Sequence, residues 1–162
     1  MLRLAIAGLP KARVWTDEID RAVWCEAQGR EVPPSFTVDT LERLAKVVGS
    51  GVETRLLIGS DQAVAFHRWK HWERVEALAE PLVFVREPDR TREDVVQRLR
   101  ATGAWNEAQL NAWAGRVVQA EPIEGSATRV REGDRGLLHP AVESYIRERG
   151  LYGAGKAQNT RE

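Results

Sequence analysis

The sequence is poor in cysteine, carries no net charge and lacks any long apolar run. Cys25 is the single cysteine, which excludes a disulfide within the chain and favours a reducing cytoplasm. Lysine plus arginine and aspartate plus glutamate each total 24. This balance argues against a nucleic-acid arm or a surface for anionic membranes, because both need clustered positive charge. No run approaches the roughly 20 apolar residues of a membrane-spanning helix, so we expect a soluble protein.

The order of the apolar segments predicts an α/β fold. Strand-like runs occur in "TRLLIGSD", "LVFV" and "RVVQA", and amphipathic segments separate them. The strongest helix signal is "TVDTLERLAKVVG", where Thr37 is a candidate N-cap and Gly49 a stop. Short apolar strands that alternate with helices predict a parallel sheet with helices on both faces. The 162 residues fit one domain, and the tail at 153–162 is expected to be disordered.

Three polar segments are expected around one crevice, because parallel sheets bind ligands at the carboxyl ends of their strands. They are "GSD", with Gly59 and Asp61, then Arg86 after "LVFV", and finally "SATRVR". Asp61 is able to bind a sugar hydroxyl or help to hold a metal. A cap for a helix that begins at Gln62 is the commoner use of such a carboxylate, so both interpretations stay open.

The segment "SATRVR" has the composition of a phosphate site. The hydroxyls of Ser126 and Thr128, together with backbone amides at a helix start, are able to hold phosphate oxygens, and Arg131 adds a fork of donors. An ordinary hydroxyl cap followed by a solvated arginine explains the same residues equally well. The Gly-Lys-Ser/Thr of a P-loop is absent from the sequence.

The segment "HRWKHW" combines aromatic and basic side chains. Trp69 is able to stack on a flat heteroaromatic ring, with Arg68 or Lys70 facing a phosphate or carboxylate. Alternatively, Trp69 and Trp72 form part of the core and the charges between them are solvated. Its two histidines are four residues apart, but no cysteine or carboxylate beside them completes a metal site, so we expect none.

The segment "PSFTVDTL" places a helix N-terminus after a rigid loop. Free N–H groups at such a position attract a carboxylate or a phosphate, and a plain Thr37 cap has the same geometry.

Taken in order, six segments resemble bacterial nicotinate mononucleotide adenylyltransferase. They are "PSFTVDTLERL", "LLIGSDQ", "HRWKHWERV", "LVFVRE", "SATRVR" and "HPAVESYIRERGLY". That family's patterns run Ser-(Tyr/Phe)-Thr-x-Asp-Thr-Leu, Gly-x-Asp, a Trp with a basic or polar run, a strand ending in Arg, Ser-x-Thr-x-(Ile/Val)-Arg, and a Val-x-x-Tyr-Ile…Leu-Tyr helix. The resemblance covers residues 1–152 and implies a Rossmann-like nucleotidyltransferase fold.

The resemblance also implies a reaction and a set of site residues. The reaction joins nicotinate mononucleotide to the AMP part of ATP, with Mg²⁺, and yields deamido-NAD and pyrophosphate without a covalent enzyme intermediate. Thr37 with neighbouring amides is implied to contact the nicotinate carboxylate, and Trp69 the pyridine ring. The residues implied to bind ATP are Gly59, Asp61, Ser126, Thr128 and Arg131, and of these Thr128 and Arg131 are implied to be catalytic. The residues implied to bind the mononucleotide are Phe36, Thr37, Asp61, Trp69 and Arg86. No metal ligand is implied.

One departure from the family changes the expectation for activity. The family opens with a strand and the motif Gly-x-Phe-Asp-Pro-x-His-x-Gly-His, which the sequence lacks. We therefore expect a truncated chain without the first βα unit, as would follow from an internal start codon, with impaired or absent activity. The alternatives are a non-catalytic relative that binds a pyridine nucleotide or a protein partner, and an α/β domain of another role.

Overall fold

The computed structural model describes residues 1–49, 51–118, 120, 127–136 and 138–153. Two compact units are distinguished. The terminal unit combines Met1–Thr16 with Ile123–Glu162, and the sheet unit is Asp17–Pro122. Apart from Gly153, the tail predicted at 153–162 lies outside the described residues, and the single domain expected for residues 1–152 stays a prediction.

The helices and strands of the described residues alternate along the chain. In order they are α1 (Leu2–Ala5), α2 (Asp17–Ala27), α3 (Thr37–Val48), β1 (Arg55–Gly59), α4 (Ser60–Ala65), a 3-10 helix (Phe66–Arg68), α5 (Trp72–Leu78), β2 (Glu80–Phe84), α6 (Arg92–Ala101), α7 (Glu107–Arg116), β3 (Val117–Val118), α8 (Ala127–Arg131), α9 (Pro140–Glu148) and a second 3-10 helix (Leu151–Gly153). No helix in the described part of the chain combines the length and the apolar composition needed to cross a bilayer.

The sheet unit contains a three-stranded parallel sheet in the order β1-β2-β3. Gly59 at the end of β1 lies opposite Phe84, and Phe84 lies opposite Val118 of β3. Helices α4, α5 and α7 contact the strands. The predicted α/β class with a parallel sheet is therefore confirmed, in the strand-helix-strand order of a Rossmann-like fold.

The two faces of the sheet differ in exposure. Ile58, Val83 and Val117 lie on one face and are buried, whereas Leu57 on the opposite face is 63% exposed and Phe84 is 39% exposed. Neighbouring residues of a strand point to opposite faces, so this difference follows from the register. The buried face carries the main core.

Aromatic side chains form the centre of that core. Phe66 is fully buried and packs edge-on against Trp113, with ring centroids 5.2 Å apart. Trp105 packs against Trp72 and Trp113 at 5.0 and 5.5 Å. These edge-to-face arrangements are favourable for aromatic pairs. Part of "HRWKHW" thus serves the core, as the structural interpretation of that segment predicts for Trp72.

Three local features differ from the sequence prediction. Helix α2 was not predicted; it carries Ile19 and Val23 exposed, and Cys25 is its one buried residue. Strand β2 spans Glu80–Phe84 instead of residues 82–85. Pairing with β1 sets this register, and the N–H of Glu80 already donates to the carbonyl of Thr54 at 3.1 Å.

The third difference concerns the start of α3. Thr37 is the first residue of the helix and not its cap, since Phe36 has the extended backbone of an N-cap residue (φ −104°, ψ 141°). The other end agrees with the prediction. Gly49 follows the last residue with a φ of 83°, a conformation that glycine adopts without steric cost.

The terminal unit is helical where it is described. Helix α1 contacts α9, whose Val142 and Ile146 are buried. His139 caps α9 by accepting a hydrogen bond on Nδ1 from the N–H of Ala141 at 3.2 Å, and Pro140 occupies the first turn, where its lack of an N–H costs no helix hydrogen bond.

Candidate active site

The start of α3 and the segment after the first 3-10 helix enclose a cavity of about 240 Å³. We call it the α3 pocket; it is lined by Ser35, Phe36, Thr37, Arg68, Trp69 and Lys70. Because Phe36 provides no side-chain cap, the helix start presents its positive end without a capping side chain, which favours an anion there. Arg68 and Lys70 add two cations at the wall.

Trp69 is held at the α3 pocket by the core. Its N–H donates to the carbonyl of Phe66 at 2.9 Å, and the two rings lie 5.0 Å apart at a 37° tilt. The next residues, Lys70 and His71, leave the core, and His71 has a left-handed backbone (φ 50°, ψ 49°) before α5 begins. Trp69 thus packs against the core, as the structural interpretation of "HRWKHW" predicts, and it also lines the cavity. Its stacking on a ligand ring stays a prediction.

A second group of polar residues lies at the carboxyl edge of the sheet, where β1 and β2 end. Ser60 is fully buried. Its hydroxyl accepts a hydrogen bond from the N–H of Arg86 at 3.1 Å and donates one to the carbonyl of Arg86 at 3.2 Å. This pair of bonds ties the turn after β1 to the turn after β2. Asp61 and Arg86 therefore lie together, as the topology predicts.

Gly59 makes this close approach possible. A Cβ at this position would lie 2.5 Å from Asp61 Oδ1 and 2.6 Å from Arg86 Cδ, which is closer than real Cβ contacts allow. Gly59 is also the N-cap residue of α4. Asp61 lies inside the first turn of that helix, so the structure does not support the alternative in which Asp61 caps a helix beginning at Gln62.

Asp61 is poised as an ionised acceptor. The side-chain amide of Gln62 donates to Asp61 Oδ2 at 2.9 Å. This hydrogen bond lowers the pKa of Asp61 below its ordinary value, and the positive charge of Arg86 lowers the pKa further. An exposed, ionised carboxylate at a strand end is suited to accept hydrogen bonds from a hydroxyl group.

Two of the predicted phosphate-binding residues are described in the terminal unit. Thr128 and Arg131 lie on α8, which is only five residues long; Ser126 lies outside the described residues. Arg131 also lines a cavity of about 390 Å³ in this unit, and its neighbours there include Val130, Leu138 and Val142. The joint grip of Ser126, Thr128 and Arg131 on phosphates stays a prediction.

The predicted residues thus fall into three places. Phe36, Thr37 and Trp69 meet in the α3 pocket, Gly59, Asp61 and Arg86 meet at the sheet edge, and Thr128 and Arg131 lie on α8. Ser35, Arg68 and Lys70 also line the α3 pocket but were not in the implied site set. The sequence indicated Arg68 and Lys70 as basic residues of "HRWKHW", but it did not show which of the two faces a ligand.

The comparisons with known proteins agree on one family. No protein-family model matches the chain. Similar curated proteins named probable nicotinate-nucleotide adenylyltransferase come from Chromobacterium violaceum, at 32% identity, and from Stenotrophomonas maltophilia, at 37%. Each alignment covers 94% of this chain and 72% of the relative. A third relative of that name, from Laribacter hongkongensis, is 34% identical over 94% of this chain and 69% of its own length.

Proposed function

The chain belongs to the nicotinate-nucleotide adenylyltransferase family, and we propose from this membership that it transfers the adenylyl group of ATP to nicotinate mononucleotide. The products are deamido-NAD and pyrophosphate, which places the protein in NAD biosynthesis. The proposed location is the cytoplasm, which the single cysteine supports.

The α3 pocket is the observation that carries the proposal. It offers the indole of Trp69 to a flat ring and the positive start of α3 to an anionic group. A pyridine ring with a carboxylate needs both features a few ångströms apart. In the proposed complex the nicotinate ring packs on Trp69, and its carboxylate points towards Phe36 and Thr37.

The sheet edge and α8 hold the nucleotide in this proposal. Gly59, Asp61 and Arg86 line the crevice for ATP and the mononucleotide, and Ser126, Thr128 and Arg131 grip the ATP phosphates. An oxygen of the mononucleotide phosphate attacks the α-phosphorus of ATP, a P–O bond forms, and the bond to the β-phosphate oxygen breaks with release of pyrophosphate. Arg131 neutralises the charge on this leaving group, and alignment of the two substrates supplies most of the acceleration.

Mg²⁺ enters this reaction as part of the ATP complex. Mg²⁺ prefers oxygen ligands and is commonly held by phosphates with one or two carboxylates. In the described part of the chain no three His, Cys, Asp or Glu side chains are grouped as metal ligands, while Asp61 offers one ionised carboxylate at the proposed nucleotide crevice.

Calorimetric titration of the purified chain with nicotinate mononucleotide tests the pocket. We expect binding, and we expect Trp69→Ala to weaken it about fivefold, because stacking on a ring contributes on the order of 1 kcal/mol. Trp24→Ala is the matched control, since Trp24 is exposed on α2 and does not line the α3 pocket. Equal effects of both variants would contradict the proposed pocket.

Turnover with ATP, Mg²⁺ and the mononucleotide tests the reaction. Formation of pyrophosphate and deamido-NAD would support adenylyl transfer and eliminate the non-catalytic alternative. Binding of the mononucleotide without any turnover would favour that alternative. We also expect Arg131→Ala to weaken ATP binding more than mononucleotide binding, whereas an equal loss of both would contradict its role at the phosphates.

A further inference from the structure

Lys70 occupies a defined position at the mouth of the α3 pocket. Its ammonium lies 4.3 Å from the centroid of the Phe36 ring and 3.5 Å from Asp39 Oδ2. Phe36 is the N-cap residue of α3 and Asp39 lies in the first turn. The lysine is thus held beside the helix start to which the proposed function assigns the nicotinate carboxylate.

We propose that Lys70 determines the preference for the acid over the amide form of the mononucleotide, by exchanging Asp39 for the carboxylate of the ligand. This inference rests on the proposed function. In the free protein Asp39 and Phe36 position the ammonium. In the complex the ammonium turns to the nicotinate carboxylate, which is chemically the same kind of partner as Asp39. The carboxamide of nicotinamide mononucleotide carries no negative charge, so the ammonium is expected to stay with Asp39 when this ligand binds.

The exposure of the pair makes this exchange feasible. The side chains of Lys70 and Asp39 are 40% and 41% exposed, so solvent screens their attraction and the pair is weak. A carboxylate held inside the pocket is less hydrated than Asp39 is, and a hydrogen bond to it is correspondingly stronger. Phe36 limits where the ammonium can go, because a cation over an aromatic face is favourable at this distance.

Asp39 has an opposing effect in this arrangement. Its negative charge competes with the ligand for Lys70 and also repels a carboxylate at the helix start. Removal of the Asp39 charge should therefore strengthen acid binding, whereas removal of the Lys70 charge should weaken it. A merely structural role of the pair predicts the same direction for both changes, since either one breaks the same contact.

The experiment compares the dissociation constants of nicotinate mononucleotide and nicotinamide mononucleotide by calorimetry on the full chain. We expect Lys70→Met to lower the preference for the acid about tenfold and Asp39→Asn to raise it about threefold. Lys70→Arg, which keeps the charge, should retain most of the preference. Lys46→Met is the matched control, because it removes the same charge from the exposed last turn of α3, and it should change the preference less than twofold.

Arg68→Met tests the other cation that lines the α3 pocket. The inference on Lys70 is overturned if Arg68→Met lowers the acid preference and Lys70→Met leaves it unchanged, or if Asp39→Asn and Lys70→Met shift it in the same direction. Wild-type protein that binds neither mononucleotide would overturn the proposed function together with this inference. Far-ultraviolet circular dichroism and thermal melts of each variant show that a lost preference is not lost folding.

Discussion

Gly59 is the last residue of β1, and a side chain there would collide with its neighbours. A Cβ there would lie 2.5 Å from Asp61 Oδ1 and 2.6 Å from Arg86 Cδ. Both are side-chain atoms that can move aside, so we expect Gly59→Ala to lower the free energy of unfolding by only about 1 kcal/mol. The displaced Asp61 and Arg86 would no longer meet the nucleotide, and ATP affinity should fall about tenfold in a calorimetric titration.

Gly115→Ala is the control for this prediction. Gly115 lies in α7, and nothing lies within 4 Å of a Cβ built there. Alanine in a helix is more favourable than glycine by roughly 0.5–1 kcal/mol, so this variant should be more stable than the wild type and should bind ATP equally well. A Gly59→Ala variant with unchanged ATP affinity would argue against a nucleotide at the sheet edge.

The hydrogen bond from Gln62 lowers the pKa of Asp61. This hydrogen bond is the main cause of the lowered pKa of Asp61, ahead of the charge of Arg86. The pKa is lower in the folded than in the unfolded state, so the resulting stabilisation is present above the ordinary value near 3.8 and is lost as pH falls through the lowered value. We expect Gln62→Ala to raise the pKa of Asp61 and to make stability less dependent on pH in this acidic range.

An NMR titration of the Asp61 carboxyl carbon measures this shift directly. Gln97→Ala, at an exposed position of α6, should leave the titration unchanged. If Gln62→Ala leaves the pKa of Asp61 where it was, the charge of Arg86 and not the hydrogen bond is the main cause of the lowered pKa.

For single residues, the sequence predicted which side chains line a cavity better than it predicted the contacts they make. Trp69 and Thr37 belong to segments singled out from the sequence, and both line the α3 pocket. The role of Ser60 could not be anticipated, because its hydroxyl matters only through its contact with the backbone of Arg86, 26 residues away. The position of Lys70 over Phe36 depends in the same way on a tertiary contact between two distant segments.

At the scale of elements, α7 begins with a reciprocal cap. Asn106 Oδ1 accepts from the N–H of Gln109 at 2.9 Å, and Gln109 Oε1 accepts from the N–H of Asn106 at 3.0 Å. These bonds satisfy N–H groups that the first turn leaves without partners. We expect Asn106→Ala to lower the free energy of unfolding by about 1 kcal/mol in urea denaturation.

The conservative variant separates the cap from other effects at the start of α7. Asn106→Asp keeps an acceptor at the same position and adds a charge that the positive helix end favours, so it should retain at least the wild-type stability. A loss as large as that of Asn106→Ala would mean that the amide nitrogen of Asn106, and not its oxygen, supports the helix.

Element boundaries were predictable where a local signal sets them. Gly49 ends α3, as expected from the backbone preference of glycine alone. Boundaries set by partners were not predictable. Strand β2 begins at Glu80 because Arg55 of β1 lies opposite, and a residue with no apolar character gives no sign of that pairing.

At the scale of the whole molecule, the alternation of segments was sufficient for the fold class but not for the function. A parallel sheet with intervening helices follows from short apolar strands and amphipathic helices, and the same fold class serves many activities. The reaction is proposed from the ordered motifs and from the names of relatives that are 32% and 37% identical to the chain.

One consequence for the whole molecule comes from the open face of the sheet. Leu57 and Phe84 lie on this face and are 63% and 39% exposed, and an exposed apolar sheet surface promotes association between copies of a chain. We expect Leu57→Lys to reduce self-association, measured by sedimentation velocity over a range of concentrations, without loss of thermal stability.

Ile58→Lys is the comparison on the opposite, buried face of the same strand. A lysine there would bury an unpaired charge among core side chains and should unfold the protein. If Leu57→Lys instead destabilises as strongly as Ile58→Lys, then Leu57 is buried in solution and the proposed association surface is contradicted.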